Sequence, residues 1–293
     1  MKGPMLTLGN GLGMPAFGLG VFQSGPAETV EAVRTALADG YRLIDTATRY
    51  MNEAQVGQGI RESGVPRDDL FVQTKLWISD YDYDRALRSF DRSMEELGLE
   101  TLDLYFLHWP VPKHFERTLE SWKAAVRLLE EGRVRAIGVC NASPDDIRRL
   151  TEASGVTPAV NQVELHPYLA QPELRKANRE MGVVTQAWSP IGGIKRYLGE
   201  AAATGDPLRD PVVVSLAERY GKTPAQIVLR WHIELGNSVI PKSVRAGRIH
   251  ENGDIFDFSL TRDEVAAIEA LDRGERGGPD PAEVTPETFG SGD

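Results

Sequence analysis

Short apolar runs punctuate this chain, and the stretches between them repeat apolar residues at the three- and four-residue spacing of amphipathic helices. The runs are Ala16–Leu19, Tyr41–Ile44, Leu70–Thr74, Leu102–Leu107, Val134–Val139, Ala159–Val163, Val183–Ala187 and Ser238–Ile240. Turn-forming residues flank most of them, so they read as buried strands. Helical spacing covers Ala27–Ala38, Ala54–Glu62, Asp84–Glu96, Leu119–Glu130, Pro172–Met181 and a segment closing near Glu234. Two helix starts are explicit, the second opening the segment that closes near Glu234. Ser143-Pro144-Asp145-Asp146 supplies a hydroxyl cap, a proline at the first helical position and acids in the first turn. Thr223-Pro224-Ala225-Gln226 is a capping box.

Strands alternating with helices imply a parallel sheet, and eight of them close most naturally as an α/β (β/α)8 TIM barrel. A short hairpin around Asn10-Gly11 precedes the first strand. Gly11, Gly13 and Ala16 also fit GxGxxG/A, but Pro15 and the run FGLGVF stand where that phosphate loop needs a helix. The C-terminal tail, residues 274–293, is too rich in Gly and Pro for a regular element. Barrels of this length are routinely one domain, so residues 1–293 read as a single unit.

In such a barrel the loops after the strands build the active face. Asp45, Tyr50, Lys75, His108, Asn141, Gln162, Trp188 and Lys242 all fall at or just past predicted strand ends. A phenol is a weak acid at neutral pH, and a nearby cation favours its ionised form and lowers its pKa. Lys75 suits that cation, Asp45 suits a partner that keeps Lys75 charged, and a neutral His108 suits an orienting hydrogen bond to a substrate oxygen. Taken alone, Lys75 also suits a Schiff-base nucleophile, His108 a core histidine and Trp188 plain packing. The five histidines show no metal-ligand spacing, so no metal site is expected.

The blocks IDTATRY, TKLW, LHWP, GVCNAS, NQVELHP, AWSPIGG and IPKSVRAGRIHEN resemble those of the aldo-keto reductases, in that family's order, from about residue 5 to residue 275. The resemblance implies that NADPH reduces an aldehyde or ketone, with Tyr50 as proton donor and Asp45, Lys75 and His108 around it. It implies that Asn141 and Gln162 bind the nicotinamide carboxamide and that Trp188 stacks on the ring. Lys242, Ser243, Val244, Arg248 and Asn252 are expected at the adenosine end. Lys242, Arg245 and Arg248 cluster there, and Arg favours phosphate oxygens, although a solvated basic helix face is the alternative. Phe22, Trp77, His108 and Trp109 would line an apolar substrate pocket for small carbonyl or α-dicarbonyl compounds. Phe22 and Trp188 bring the chain nearest to bacterial members resembling the 2,5-diketo-D-gluconate reductases. A nicotinamide-binding regulatory or redox-sensing subunit with little turnover is the other reading of the same barrel.

Three positions depart from the family pattern. Cys140 stands where Ser is common, Leu43 where His is frequent, and Met51 where Gly is common. Specificity is expected in loops near Lys113–Arg117, Ile191–Pro211 and the tail. The formal net charge of −10 disfavours nucleic-acid and anionic-membrane partners. One cysteine allows no internal disulfide, and no apolar run suits a signal peptide or a membrane span. A cytoplasmic monomer is the expectation.

Overall fold

Ten strands organise the computed structural model, which describes residues 3–193 and 205–289. Strands β1 (Met5–Thr7) and β2 (Gly13–Pro15) form the expected antiparallel hairpin, with Gly11 at φ +85° in its turn. Then come β3 (Gly18–Gly20), β4 (Leu43–Asp45), β5 (Phe71–Leu76), β6 (Leu102–Leu107), β7 (Val134–Cys140), β8 (Val160–Glu164), β9 (Val184–Trp188) and β10 (Ser238–Val239). Each of these eight is parallel to its neighbour, in sequence order. Two isolated parallel bridges, Phe17↔Val239 and Gly20↔Lys242, join the last strand to the first. The sheet is a barrel closed along one thin seam. Residues 194–204, inside the second expected specificity loop, and 290–293 of the tail lie outside the described residues.

Side-chain alternation then sorts the interior into levels. Leu43, Phe71 and Val160 meet Leu8 and Met14 of the hairpin segment, so the hairpin plugs the floor with apolar groups. Leu43 thus packs at the floor, away from the chemistry. Two residues further along their strands, Asp45, Gln73 and Gln162 form a polar level with Gln186. Lys75, Glu164 and Trp188 stand above it, nearest the mouth. The opposite faces of the strands, Ile44, Val72, Tyr105 and Val139 among them, pack with the surrounding helices in the largest core cluster.

Element boundaries shift for identifiable reasons. Strand β4 starts two residues after the predicted Tyr41, because the Tyr41 hydroxyl donates to the Ile249 carbonyl at 2.6 Å and its ring packs on Phe17. The helix predicted from Leu119 begins at Phe115, where Thr118 Oγ1 donates to the Pro110 carbonyl at 2.7 Å and Arg149 lies 3.7 Å from the Phe115 ring centroid. Both expected caps are present: the Ser143 and Thr223 hydroxyls each accept from the third helical amide. In the tail, Pro286–Phe289 makes one helical turn that its composition did not suggest.

The barrel's two ends differ in backbone conformation. Turns that return from helix to strand put glycine in the left-handed region, as at Gly98 (φ +66°) and Gly155 (φ +72°). Loops that leave the strands hold non-glycine residues there: Gln23, Met51, Val111, Asn141, Gln171 and Ser189. Such conformations are costly for L-residues and collect where structure serves a site. No described helix is long and apolar enough to cross a membrane.

Candidate active site

Strand registry brings three of the four expected catalytic groups within bonding distance. Asp45 ends β4, and Lys75 reaches it from β5 with Nζ 2.6 Å from Asp45 Oδ1. Both side chains are buried. Lys75 also donates to the Thr46 carbonyl at 2.9 Å, and its Nζ lies 3.4 Å from the Tyr50 hydroxyl. Tyr50 sits on a 3-10 turn, Thr48–Tyr50, fastened to β5 because Thr48 Oγ1 donates to the Lys75 carbonyl at 2.9 Å. Asn52 braces the same loop: it accepts from Thr46 Oγ1 at 2.7 Å and donates to the Val21 carbonyl at 2.9 Å. His108, just past β6, presents its ring edge-on to Tyr50 with centroids 5.8 Å apart.

Electrostatics corrects one expectation. Burial pushes the Tyr50 phenol up to about 12, and the opposing pull of Lys75 only moderates that rise. The phenol therefore holds its proton at neutral pH, where proximity to a cation alone pointed to a lowered value. For Lys75, burial disfavours the charge, but Asp45 outweighs it and holds the ammonium above its ordinary value. Burial, then the cations Lys75 and Arg49, hold His108 well below its ordinary value, so its ring is neutral as expected.

A buried acid stands behind this group. Glu53 accepts from Thr74 Oγ1 at 2.6 Å and from Ser93 Oγ at 3.1 Å. Burial raises it from 4.5 to about 7 despite those bonds. A raised folded-state value means that this group's stabilisation is complete below pH 4.5 and is lost as the pH climbs through about 7. Glu53→Gln is therefore expected to match wild-type stability near pH 5 and to exceed it by about 1 to 3 kcal/mol near pH 8. Thermal or urea unfolding at the two pH values measures this; an equal effect at both would contradict the raised value.

The expected cofactor residues divide into two groups. Near the catalytic residues, Asn141 is left-handed (φ +59°), accepts from Trp188 Nε1 at 2.8 Å and donates to the His108 carbonyl at 3.2 Å. Gln162 donates to Asp45 Oδ1 at 3.0 Å and to Gln186 Oε1 at 2.7 Å. Cys140 is buried beside it, and burial pushes its thiol far up, so it is an inert neighbour and a poor replacement for a serine donor. The second group surrounds the seam. Lys242 bridges Gly20, Ser243 Oγ accepts from the Arg245 amide at 3.2 Å, and the helix Ala246–Gly253 starts there with Arg248 exposed and Asn252 buried. Cationic side chains beside free helix amides suit an anion.

Aromatic rings flank Tyr50 and His108. Phe22 lies 5.1 Å from Tyr50 and Trp77 lies 5.0 Å from His108, centroid to centroid, and Trp109 stacks on His108 at 6.4 Å. Met51, expected at the pocket mouth, is 78% exposed.

The tail was expected to bear on specificity, but sequence reasoning did not foresee that it forms a strap anchored on Glu164. Glu164, buried at the end of β8, accepts from the Gly277 and Gly278 amides at 2.7 and 3.0 Å. Gly278 presses so closely on Trp188 that a Cβ there would come within 2.6 Å of the ring. Further along, Lys113 pairs with Glu283 at 2.5 Å and Phe289 stacks on Trp109 at 6.4 Å. The NQVELHP block contained Glu164, and its position at a strand end was the available signal.

Known proteins bear on this arrangement. The profile described as Aldo/keto reductase family matches residues 11–273. Morphine 6-dehydrogenase of Pseudomonas putida is 52% identical over 291 residues, covering 98% of each chain. Methylglyoxal reductase DkgA of Escherichia coli (strain K12) is 43% identical over 278 residues, covering 94% of this chain and 96% of its own. The crystal structure of a Bombyx mori aldo-keto reductase in complex with NADP superposes with a TM-score of 0.86 at 35% identity, covering 94% of this chain and 95% of that one.

Proposed function

Because this chain belongs to the aldo/keto reductase family, we propose that it reduces small aldehydes, ketones and α-dicarbonyl compounds to alcohols with NADPH, Tyr50 delivering the proton. The observation that carries this reading is the buried Asp45–Lys75–Tyr50 row, with its protonated phenol facing a neutral His108. Bound NADPH supplies the hydride. The residues present suit that group: Trp188 offers a half-buried ring, Gln162 keeps a carbonyl without a strong donor, and the Lys242–Asn252 segment suits a phosphate. The Bombyx mori relative's NADP complex supports the cofactor choice.

As charge develops on the substrate oxygen, the Tyr50 hydroxyl is the acid that meets it. Lys75, held charged by Asp45, stabilises the phenolate left behind. His108 stays neutral and orients the oxygen. Phe22, Trp77 and Trp109, with Phe289 from the strap, exclude water and favour small apolar substrates, in keeping with the relative named methylglyoxal reductase.

Purified protein given NADPH with methylglyoxal and with aromatic aldehydes tests the reading. The expected result is substrate-dependent oxidation of NADPH. Tight NADPH binding with no oxidation across aldehydes, ketones and dicarbonyls would overturn it in favour of a binding subunit.

A further inference from the structure

Three glutamines are buried at the middle level of the barrel, and two of them, Gln73 and Gln186, belong to none of the roles above. Gln73, Gln162 and Gln186 are each 2% exposed or less, and they meet around Asp45. A carboxylate oxygen only accepts hydrogen bonds. Gln73 Nε2 at 2.7 Å and Gln162 Nε2 at 3.0 Å from Asp45 Oδ1 must therefore be the amide nitrogens; flipped amides would set carbonyl oxygens against the charge. Gln186 Oε1 stands 2.7 Å from both nitrogens, which fixes it as the carbonyl end. Its own nitrogen donates to Ser238 Oγ at 3.0 Å and lies 3.4 Å from Gln73 Oε1. One carboxylate thus dictates the direction of three amides.

The consequence falls on Gln162. Both of its N–H groups are committed inward, to Asp45 and Gln186. Its Oε1 has only the Cys140 Sγ at 4.0 Å, and a thiol is a weak donor. What Gln162 has left to offer at the strand end, beside Asn141, is an acceptor. We infer that Gln73 and Gln186 are positioning residues that lock Gln162 in the one amide orientation able to accept a hydrogen bond from the cofactor's carboxamide NH2. Neither of them is at the mouth; both act through Gln162 and Asp45. The inference rests on the NADPH reading above.

The discriminating ligand is the 3-acetylpyridine analogue of NADP+, in which a methyl group replaces the carboxamide NH2. Tryptophan fluorescence titration gives the affinities of both dinucleotides without turnover. Wild-type protein is expected to favour NADP+ over the analogue by about five- to tenfold, the effect of one neutral hydrogen bond. In Gln186→Met the Gln162 nitrogen keeps Asp45 as its one partner in place of two, so its amide is held less firmly and the preference should fall to about twofold or less while analogue affinity stays level. Gln186→Glu should restore it: Asp45 nearby keeps the new carboxyl protonated, and a protonated acid reproduces one acceptor and one donor. If Gln186→Met does not fold, Gln73→Met, which removes the other amide bonded to Gln186, is expected to lower the preference in the same direction. An undiminished preference in the folded variants, or an equal loss for both dinucleotides, overturns the inference. Wild-type protein that binds neither dinucleotide refutes the cofactor reading itself.

Discussion

Tyr50→Phe is expected to lower kcat by about 10² to 10⁴, the range for a positioned general acid, and to leave NADPH affinity almost unchanged. The substitution keeps the ring and its contacts with Phe22 and His108 and removes only the hydroxyl that faces Lys75. With its pKa near 12, the phenol is fully protonated across the working pH range. As the proposed donor Tyr50 is therefore loaded at neutral pH, and the role proposed for Lys75 is to stabilise what remains after the proton leaves. Lys75→Met should also depress kcat, yet combining it with Tyr50→Phe should add little, because the two act as a unit. Single-turnover measurements keep the chemical step apart from cofactor release. A Tyr50→Phe enzyme that reduces its aldehyde at near wild-type single-turnover rate would transfer the donor role to His108 or water.

Arg248→Ala should weaken NADPH roughly ten- to a hundredfold and NADH by no more than about twofold, the loss of one charge-assisted phosphate contact. Arg248 is exposed on the first turn of Ala246–Gly253, the helix that begins four residues after Lys242. A fork-shaped donor at that place suits the 2′-phosphate, the one group that separates the two cofactors. Since the side chain is exposed, the difference should shrink as salt rises. Fluorescence titrations with both dinucleotides at two ionic strengths measure it. Equal weakening of NADPH and NADH would remove Arg248 from the phosphate site.

Much of this was legible in the sequence because barrel geometry turns linear position into place. A polar residue ending an apolar run lands in the upper half of the barrel, so Asp45, Lys75 and His108 could be grouped from strand ends alone. Burial was not legible in the same way, and it reverses the expected direction for Tyr50: proximity to a cation can be read from strand ends, while desolvation depends on everything packed around the ring. Gln73 and Gln186 were invisible for a related reason. Each sits in mid-strand rather than at a strand end, and its meaning lies in a partner 113 positions away. The path of the tail was not legible because a segment poor in periodicity takes its shape from its partners, Glu164 and Trp109, and not from its own pattern.

The seam between β10 and β3 carries a consequence for how the chain is assembled. Where β5 and β6 pair over four positions, the seam has two bridges, with the Gly20 amide donating to the Pro241 carbonyl at 3.1 Å and the Val239 amide to the Ala16 carbonyl at 2.9 Å. These residues lie near opposite ends of the chain, so the ring closes only after the last strand has been synthesised, against the largest loop entropy in the molecule. Until then the level of amides around Asp45 is incomplete, because Ser238, the acceptor for Gln186, arrives on that last strand. Closing and polar ordering are thus one late event. Lys242 bridges Gly20, two residues before Phe22, so a dinucleotide gripping Lys242 would also fasten the ends of the ring together, a clasp on the last joint to form.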